Sequence, residues 1–305
     1  MSAVSATLVK ELREKTGAGM MDCKKALTET NGDLEAAVDW LRKKGIASAS
    51  KKSGRVAAEG KVVVAAEGNQ GLLLEVNSET DFAAKNEKFI AFASAAVQAG
   101  LEAGVQDIDA LGALSYPQAG RSIADELTAL IASVGENMNL RRVARLEVAQ
   151  GVVVGYLHMG GKIGTLVSLE STAADQEALR ELGKKIAMHV AASIPFYLNR
   201  DSVPGADLDR ERSVLADQAR ASGKPESIIE KMVQGRISKF YADTCLVEQP
   251  FIMDPEQSMQ AVVDATAKSL GATVRVAGFA RFMMGEGLQK REDDFAAEVA
   301  KAVGQ

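Results

Sequence analysis

One order of elements occurs twice along this chain, and it limits the fold more than any single motif. At residues 71–99, GLLLEVNSE gives way to a polar turn and then to NEKFIAFASAAVQ. At residues 164–193, GTLVSLES gives way to a turn and then to DQEALRELGKKIAMHVAAS. Apolar runs bounded by glycine and polar residues predict strands, and the apolar spacing after each turn has the helical period. KVVVAAEG forms a hairpin with the first strand across Asn69-Gln70, and residues 118–135 add a helix broken before Gly135. RRVARLEVAQ and GVVVGYLHM precede the second segment as its own strand group, and TVRVAGFARFMM is a further strand. This alternation predicts an α+β fold with antiparallel sheets and two related subdomains, not a solenoid array.

The flanks are helical. Leu8, Val9 and Leu12 make an apolar stripe that ends at Thr16-Gly17, and Asp22 caps a second helix carrying Cys23, Ala26 and Leu27. That helix stops at Asn31-Gly32, and Asp33 caps a third, with Leu34, Val38 and Leu41, that ends before Gly45. KKGIASASKKSGR, residues 43–55, has five positive charges, no acid and interspersed Gly and Ser, which predicts a linker. Residues 207–243 are highly charged and broken once, at Ser222-Gly223-Lys224-Pro225, as expected of two antiparallel helices. EDDFAAEVAKAV predicts a short closing amphipathic helix. The expected division is a three-helix domain with basic linker over 1–55, a core subdomain over 56–140 and a second over 141–206 and 244–284. The hairpin at 207–243 interrupts the second subdomain, and a C-terminal module covers 285–305.

Bulk properties exclude several classes of function. A net charge of −5 argues against nucleic acid as a direct partner, although residues 1–60 hold 11 Lys/Arg against 8 Asp/Glu. No stretch approaches the roughly 18 apolar residues of a membrane span. The start, MSAVSATLVKELREKTG, runs straight into an amphipathic pattern without the apolar block of a secretory signal. Two cysteines, Cys23 and Cys245, are too few for a disulfide scaffold, so a reducing, cytoplasmic setting is expected.

Nucleotide and metal motifs fail on inspection. A phosphate loop needs Gly, four residues, then Gly-Lys-Ser/Thr, so that amides and one lysine cradle phosphate. In GYLHMGGKI an extra glycine displaces Lys162, Ile163 replaces the hydroxyl, and the segment lies between strands. Gly17-Ala18-Gly19 and Gly285-Glu286-Gly287 each lack the third glycine of a dinucleotide fingerprint. His158 and His189 are far apart in sequence and no CxxC pair exists, a poor metal set. His189, among apolar residues, fits a satisfied core imidazole; His158 fits a hairpin loop; Cys23 beside Lys24 and Lys25 fits inert packing. No cofactor, nucleotide or metal is therefore expected on the chain itself, and nothing assembles a nucleophile, base and orienter.

The stretch EVNSETDFAAKNEKF, residues 75–89, raises a sharper question. Asp81 and Phe82 stand side by side where a strand hands over to a helix. In one account Thr80 or Asp81 caps the helix and Phe82 folds back into the core. In the other, Phe89, Ile90 and Phe92 already fill a core face, and Phe82 is left over as a wedge for another protein.

Two local patterns resemble signatures of the bacterial elongation factor Ts family, guanine nucleotide exchange factors for elongation factor Tu. They are LREKTGAGMMDCKKAL, residues 12–27, and EVNSETDFAAK, residues 75–85, with Ala83 where the family usually has valine. The similarity continues in order through GENMNLRRVA, the His158 loop, IAMHVAAS, SGKPESIIEKMVQGR, QPFIMDP and DFAAEVA. It implies a ubiquitin-associated-like three-helix bundle, a two-part core, and a hairpin at 207–243 that serves self-association. It also implies that Thr80, Asp81, Phe82 and Ala83 dislodge the partner's Mg²⁺, and that Lys24, Val134, Gly135, His158, Met232 and Val233 bind the partner. On this resemblance GDP, GTP and Mg²⁺ belong to elongation factor Tu, and the chain does no covalent chemistry. The alternative is an interaction scaffold whose ubiquitin-associated-like domain binds some other protein.

Overall fold

Local caps set the first helices. Ser5 accepts from the Leu8 amide to start α1 (Ala6–Thr16), and Gly17 ends it in the left-handed conformation, φ 69°. α2 (Met20–Glu29) begins after Gly19 without a side-chain cap, so Asp22 lies inside the first turn and is not the cap. Asp33 caps α3 through the Ala36 amide at 3.0 Å, but α3 runs Leu34–Lys52. The linker expected from residue 43 is thus helical as far as Lys52. Gly45 is no stop: it is buried, and a Cβ there would lie 3.4 Å from the Ala132 Cβ, so glycine permits close helix packing. Val9, Leu12, Cys23, Ala26, Leu27 and Ala37 form the buried core of the three helices.

The computed structural model describes residues 4–289, apart from Gln118 and residues 222–224. β1 (Glu59–Glu67) and β2 (Gln70–Ser78) follow the bundle, joined at Gly68-Asn69, one residue earlier than expected. Then come α4 (Asp81–Ala84), α5 (Glu87–Ala103), α6 (Ile108–Ala113) and α7 (Ile123–Val134). β3 (Met138–Glu147) completes a sheet of order β1-β2-β3. This corrects the expectation that RRVARLEVAQ belongs with the second strand group. Strand periodicity is local, while the choice of a neighbour in a sheet is set by chain topology.

β4 (Gly151–His158) and β5 (Ile163–Ser171) are antiparallel, from Gly151 opposite Glu170 to His158 opposite Ile163. The chain continues through α8 (Gln176–Ser193), α9 (Gly205–Arg220) and α10 (Glu226–Thr244). β6 (Pro250–Phe251), β7 (Asp254–Ser258) and α11 (Met259–Leu270) lead to β8 (Val274–Met283), which closes a sheet of order β4-β5-β8. α6, β6, β7 and α11 have no counterpart in the sequence-based expectations. α9 and α10 are the expected charged hairpin; its Ser222–Lys224 break and the EDDFAAEVAKAV segment lie outside the described residues.

The fold is therefore α+β, and the chain forms two compact units. One holds the described residues up to Val63, Leu74–Val143 and the described residues from Met283 on; the other holds the described residues of Val64–Leu73 and Ala144–Phe282. In the second unit, Val152, Val167 and Leu169 of the strands pack with Leu182, Ile186 and Val190 of α8. Burying each such side chain contributes about 1.5–3 kcal/mol.

Candidate functional site

β2 is buried along nearly its whole length, and it ends by delivering Ser78, Glu79 and Thr80 to the turn before α4. The Ser78 hydroxyl donates to the Thr80 carbonyl at 2.9 Å, and Thr80 Oγ1 accepts from the Ala83 amide at 3.2 Å. Four residues are too few to hold a helix by themselves, because nucleation costs more than one turn returns. Ala83 and Ala84, each 4% exposed, tuck one side of α4 into the protein. Phe82 points the other way. Its exposure is 80%, whereas Phe89 and Phe92 are 0% and 2% exposed. The helix-start account is right about Thr80 as cap and wrong about Phe82 as core. The Lys85 ammonium stands 2.6 Å from Asp81 Oδ2 and 5.7 Å from the Phe82 ring centre, so it faces both groups.

A cross-brace joins this turn to the segment after α7. The Thr80 amide donates to Glu136 Oε2 at 2.9 Å, and the Thr80 hydroxyl donates to Glu136 Oε1 at 2.8 Å. In return the Asn137 backbone amide donates to Glu79 Oε1 at 2.5 Å, and the buried Asn137 side-chain Nδ2 donates to the Arg55 carbonyl at 2.7 Å. Val134 and Gly135 immediately precede this brace, Gly135 ending α7 at φ 93°. Sequence-predicted residues 80–83 and 134–135 are thus brought together. The α1–α2 turn joins the same unit: Ser133 donates to the Gly17 carbonyl at 3.2 Å, and Lys88 reaches that carbonyl at 3.3 Å. Lys24 lies exposed on α2, where Met20 and Met21 are 60% and 75% exposed.

Sequence reasoning missed Glu79, Glu136 and Asn137, and it missed the buried charge beneath them. Glu75 is fully buried on β2. It accepts from Arg141 at 2.8 Å, Arg142 at 2.7 Å, the Gly285 amide at 2.8 Å and Asn77 at 3.1 Å. Burial alone would raise its pKa, but the hydrogen bonds from Gly285, Arg141, Arg142 and Asn77 outweigh it and hold the carboxyl below the ordinary range. Gly285 is obligatory at this anchor. At φ 73°, an added Cβ would come within 2.4 Å of the Ala58 carbonyl oxygen. An acid inside the apolar run GLLLEVN was the available signal, with Arg141-Arg142 as its complement.

The remaining predicted residues lie in the second unit. His158 ends β4, exposed, with the Tyr156 hydroxyl 3.0 Å from its Nδ1, and Met159 follows at φ 50°. Met232 and Val233 are half-buried on α10, between the buried Ile229 and Ile237. His189 is the satisfied core imidazole expected. The Ile252 amide donates to Nδ1 at 3.2 Å, so the proton sits on Nε2, 3.0 Å from Gln249 Oε1. Burial lowers its pKa, and the Gln249 contact opposes that only in part. Cys23 is buried, and burial pushes its thiol up, which suits packing and not nucleophilic chemistry. Among the described residues no group of three His, Cys, Asp or Glu is placed to hold a metal ion, and no helix is long and apolar enough to cross a membrane.

Comparison with known proteins places this geometry. The family model described as Elongation factor TS matches residues 79–286. The chain is 64% identical over 301 residues to elongation factor Ts of Magnetococcus marinus, covering 99% of each chain. It is 56% identical to the elongation factor Ts of Rhodospirillum centenum, covering 100% of both, and 55% identical to that of Paramagnetospirillum magneticum, covering 100% of this chain and 98% of the relative. A family match across more than half the chain, and near-complete relatives at this identity, lead to one conclusion: the chain belongs to the elongation factor Ts family, translation elongation factors of protein biosynthesis.

Proposed function

We propose that the protein is a guanine nucleotide exchange factor that binds elongation factor Tu carrying GDP and promotes release of the nucleotide. The observation that carries this is Phe82, 80% exposed at the tip of a braced turn, in a chain of this family. An exchange factor binds the nucleotide-free partner better than the loaded one, and linkage makes it weaken nucleotide binding by the same factor. A ten-thousandfold effect requires about 5.5 kcal/mol of differential binding. Burying one phenylalanine supplies about 1.5–3 kcal/mol, so Phe82 acts with a wider interface.

In this mechanism Phe82 enters the partner beside its Mg²⁺ site, and Asp81 brings a carboxylate to the ion's surroundings. Mg²⁺ tolerates little departure from octahedral geometry, so a small displacement loosens the ion and then GDP. Ala83 packs behind the wedge. Lys24, Val134 and Gly135 belong to the same unit as Phe82 and extend the interface; His158, Met232 and Val233 offer contacts from the other. The nucleotide and metal are the partner's, and the chain performs no covalent step. The α9–α10 hairpin, with its exposed charged faces, is proposed to serve self-association.

The test is release of fluorescent GDP from purified elongation factor Tu. Saturating protein accelerates it in this mechanism; release at the spontaneous rate overturns it.

A further inference from the structure

We infer that Glu136 is the positioning residue of the wedge: its carboxylate holds the turn that aims Phe82. This goes beyond the exchange mechanism, and it rests on that mechanism for its functional readout. α4 is one turn long, and its exposed aromatic ring contributes no burial to keep it in place. Ala83 and Ala84 bury one side of it, two small side chains that leave its direction to polar anchors. Glu136 supplies two at once, accepting the Thr80 amide at 2.9 Å and the Thr80 hydroxyl at 2.8 Å. The same hydroxyl oxygen accepts the Ala83 amide at 3.2 Å, so the chain of bonds runs from Glu136 through Thr80 to the helix itself. Fixing both Thr80 groups fixes the direction in which the next two residues, Asp81 and Phe82, leave the strand.

Glu136 is itself held. It follows the Gly135 turn that ends α7 and precedes Asn137, whose amide donates to Glu79 at 2.5 Å. Two carboxylates and two amides thus cross between neighbouring turns, which locks the register of one against the other. A charged acceptor strengthens each bond relative to a neutral one. Preorganisation of this kind avoids an ordering cost when the partner is engaged.

The experiment compares Glu136→Ala, Glu136→Gln and Phe82→Ala in the full chain. Hydrogen exchange of the Thr80–Lys85 amides, measured without partner, is expected to accelerate at least about tenfold in Glu136→Ala, the effect of losing a hydrogen bond to a charged group. The maximal rate of GDP release at saturating protein should fall by a similar factor while the half-saturating concentration changes little. A variant that merely lost folded molecules would show the reverse. Glu136→Gln keeps an acceptor for the Thr80 amide but removes the charge and the acceptor of the Thr80 hydroxyl, so it should fall between Glu136→Ala and the unaltered protein. The double variant with Phe82→Ala should release GDP no more slowly than Phe82→Ala alone.

Unchanged protection of the turn in Glu136→Ala overturns the inference, as does lost protection with an unaltered maximal rate. A Glu136→Gln variant as impaired as Glu136→Ala overturns it, because the acceptor that remains for the Thr80 amide would then hold nothing. If the unaltered protein does not accelerate GDP release, the exchange mechanism fails and with it the wedge that Glu136 aims.

Discussion

Between β2 and α5 the chain is held by carboxylates. Glu75 is buried with Arg141 and Arg142, Glu79 takes the Asn137 amide, and Glu136 takes both Thr80 groups. Between β5 and α8 the corresponding turn relies mainly on neutral groups. Ser171 donates to the Thr273 carbonyl at 2.7 Å and accepts from the Ala173 amide at 3.0 Å, with Asp175 as the helix cap. The buried polar residues divide the same way: Glu75, Asn77, Ser78 and Asn137 in the first unit; Thr165, Ser168, Ser171, His189 and Gln249 in the second. The second turn tucks Ala173 inside at 6% exposure; the first tucks in Ala83 and Ala84 at 4% each but presents Phe82 to solvent at 80%. A turn that leaves its aromatic ring outside gains little hydrophobic anchoring beyond two alanines, and charged hydrogen bonds add to it.

The strongest way to break this contrast is to remove the buried charge. Glu75→Ala takes from Arg141 and Arg142 the acceptor they share, leaving them the Glu286 and Met283 contacts, and should destabilise the protein by about 2–3 kcal/mol, read by denaturant unfolding. A loss under about 1 kcal/mol would mean that the arginines find solvent at no cost, and the carboxylate scaffold would not be what holds the first turn.

Next in size is the wedge. Phe82→Ala should slow GDP release by about ten- to a hundredfold, the equivalent of 1.5–3 kcal/mol of differential binding. Its melting temperature should barely move, since truncating a core phenylalanine costs about 3–5 kcal/mol and Phe82 is not one. A large drop in melting temperature with release preserved per folded molecule would return Phe82 to the core.

Acid should separate the two units. Both Glu75 and His189 have folded-state pKa values below their unfolded ones, so each contributes its stability above its ordinary range and loses it as pH falls through the folded value. The imidazole range lies above the carboxylate range, so the His189 network loosens first. Hydrogen exchange at Ile252, corrected for intrinsic rates, should rise at a higher pH than exchange at Thr80. The opposite order would assign the acid-sensitive anchor to the first unit.

The smallest expected effect is at the second turn. Asp175 accepts from the Glu177 and Ala178 amides at 3.1 and 3.0 Å, and Asp175→Ala should cost about 1 kcal/mol as a lost helix cap. GDP release at saturating protein should not change. A slower maximal rate would show that the second turn also shapes the exchange surface.

From the sequence alone came the α+β class, the hairpin of β1 and β2, most long helices, a cap at Thr80 or Asp81 and the family to which EVNSETDFAAK and LREKTGAGMMDCKKAL point. These are local properties: apolar period, turn residues and capping hydroxyls act over a few positions, so a linear string carries them. The tertiary structure decided the rest. Gly45 continues a helix because Ala132 packs against it, and RRVARLEVAQ joins β2 because topology puts it there. Whether Phe82 is buried or exposed could not be settled by spacing, since both accounts share one helical pattern; its exposure depends on what Phe89 and Phe92 already fill. Glu136 and Thr80 are 56 positions apart in the chain, and only folding brings that carboxylate within hydrogen-bonding distance of the turn it holds.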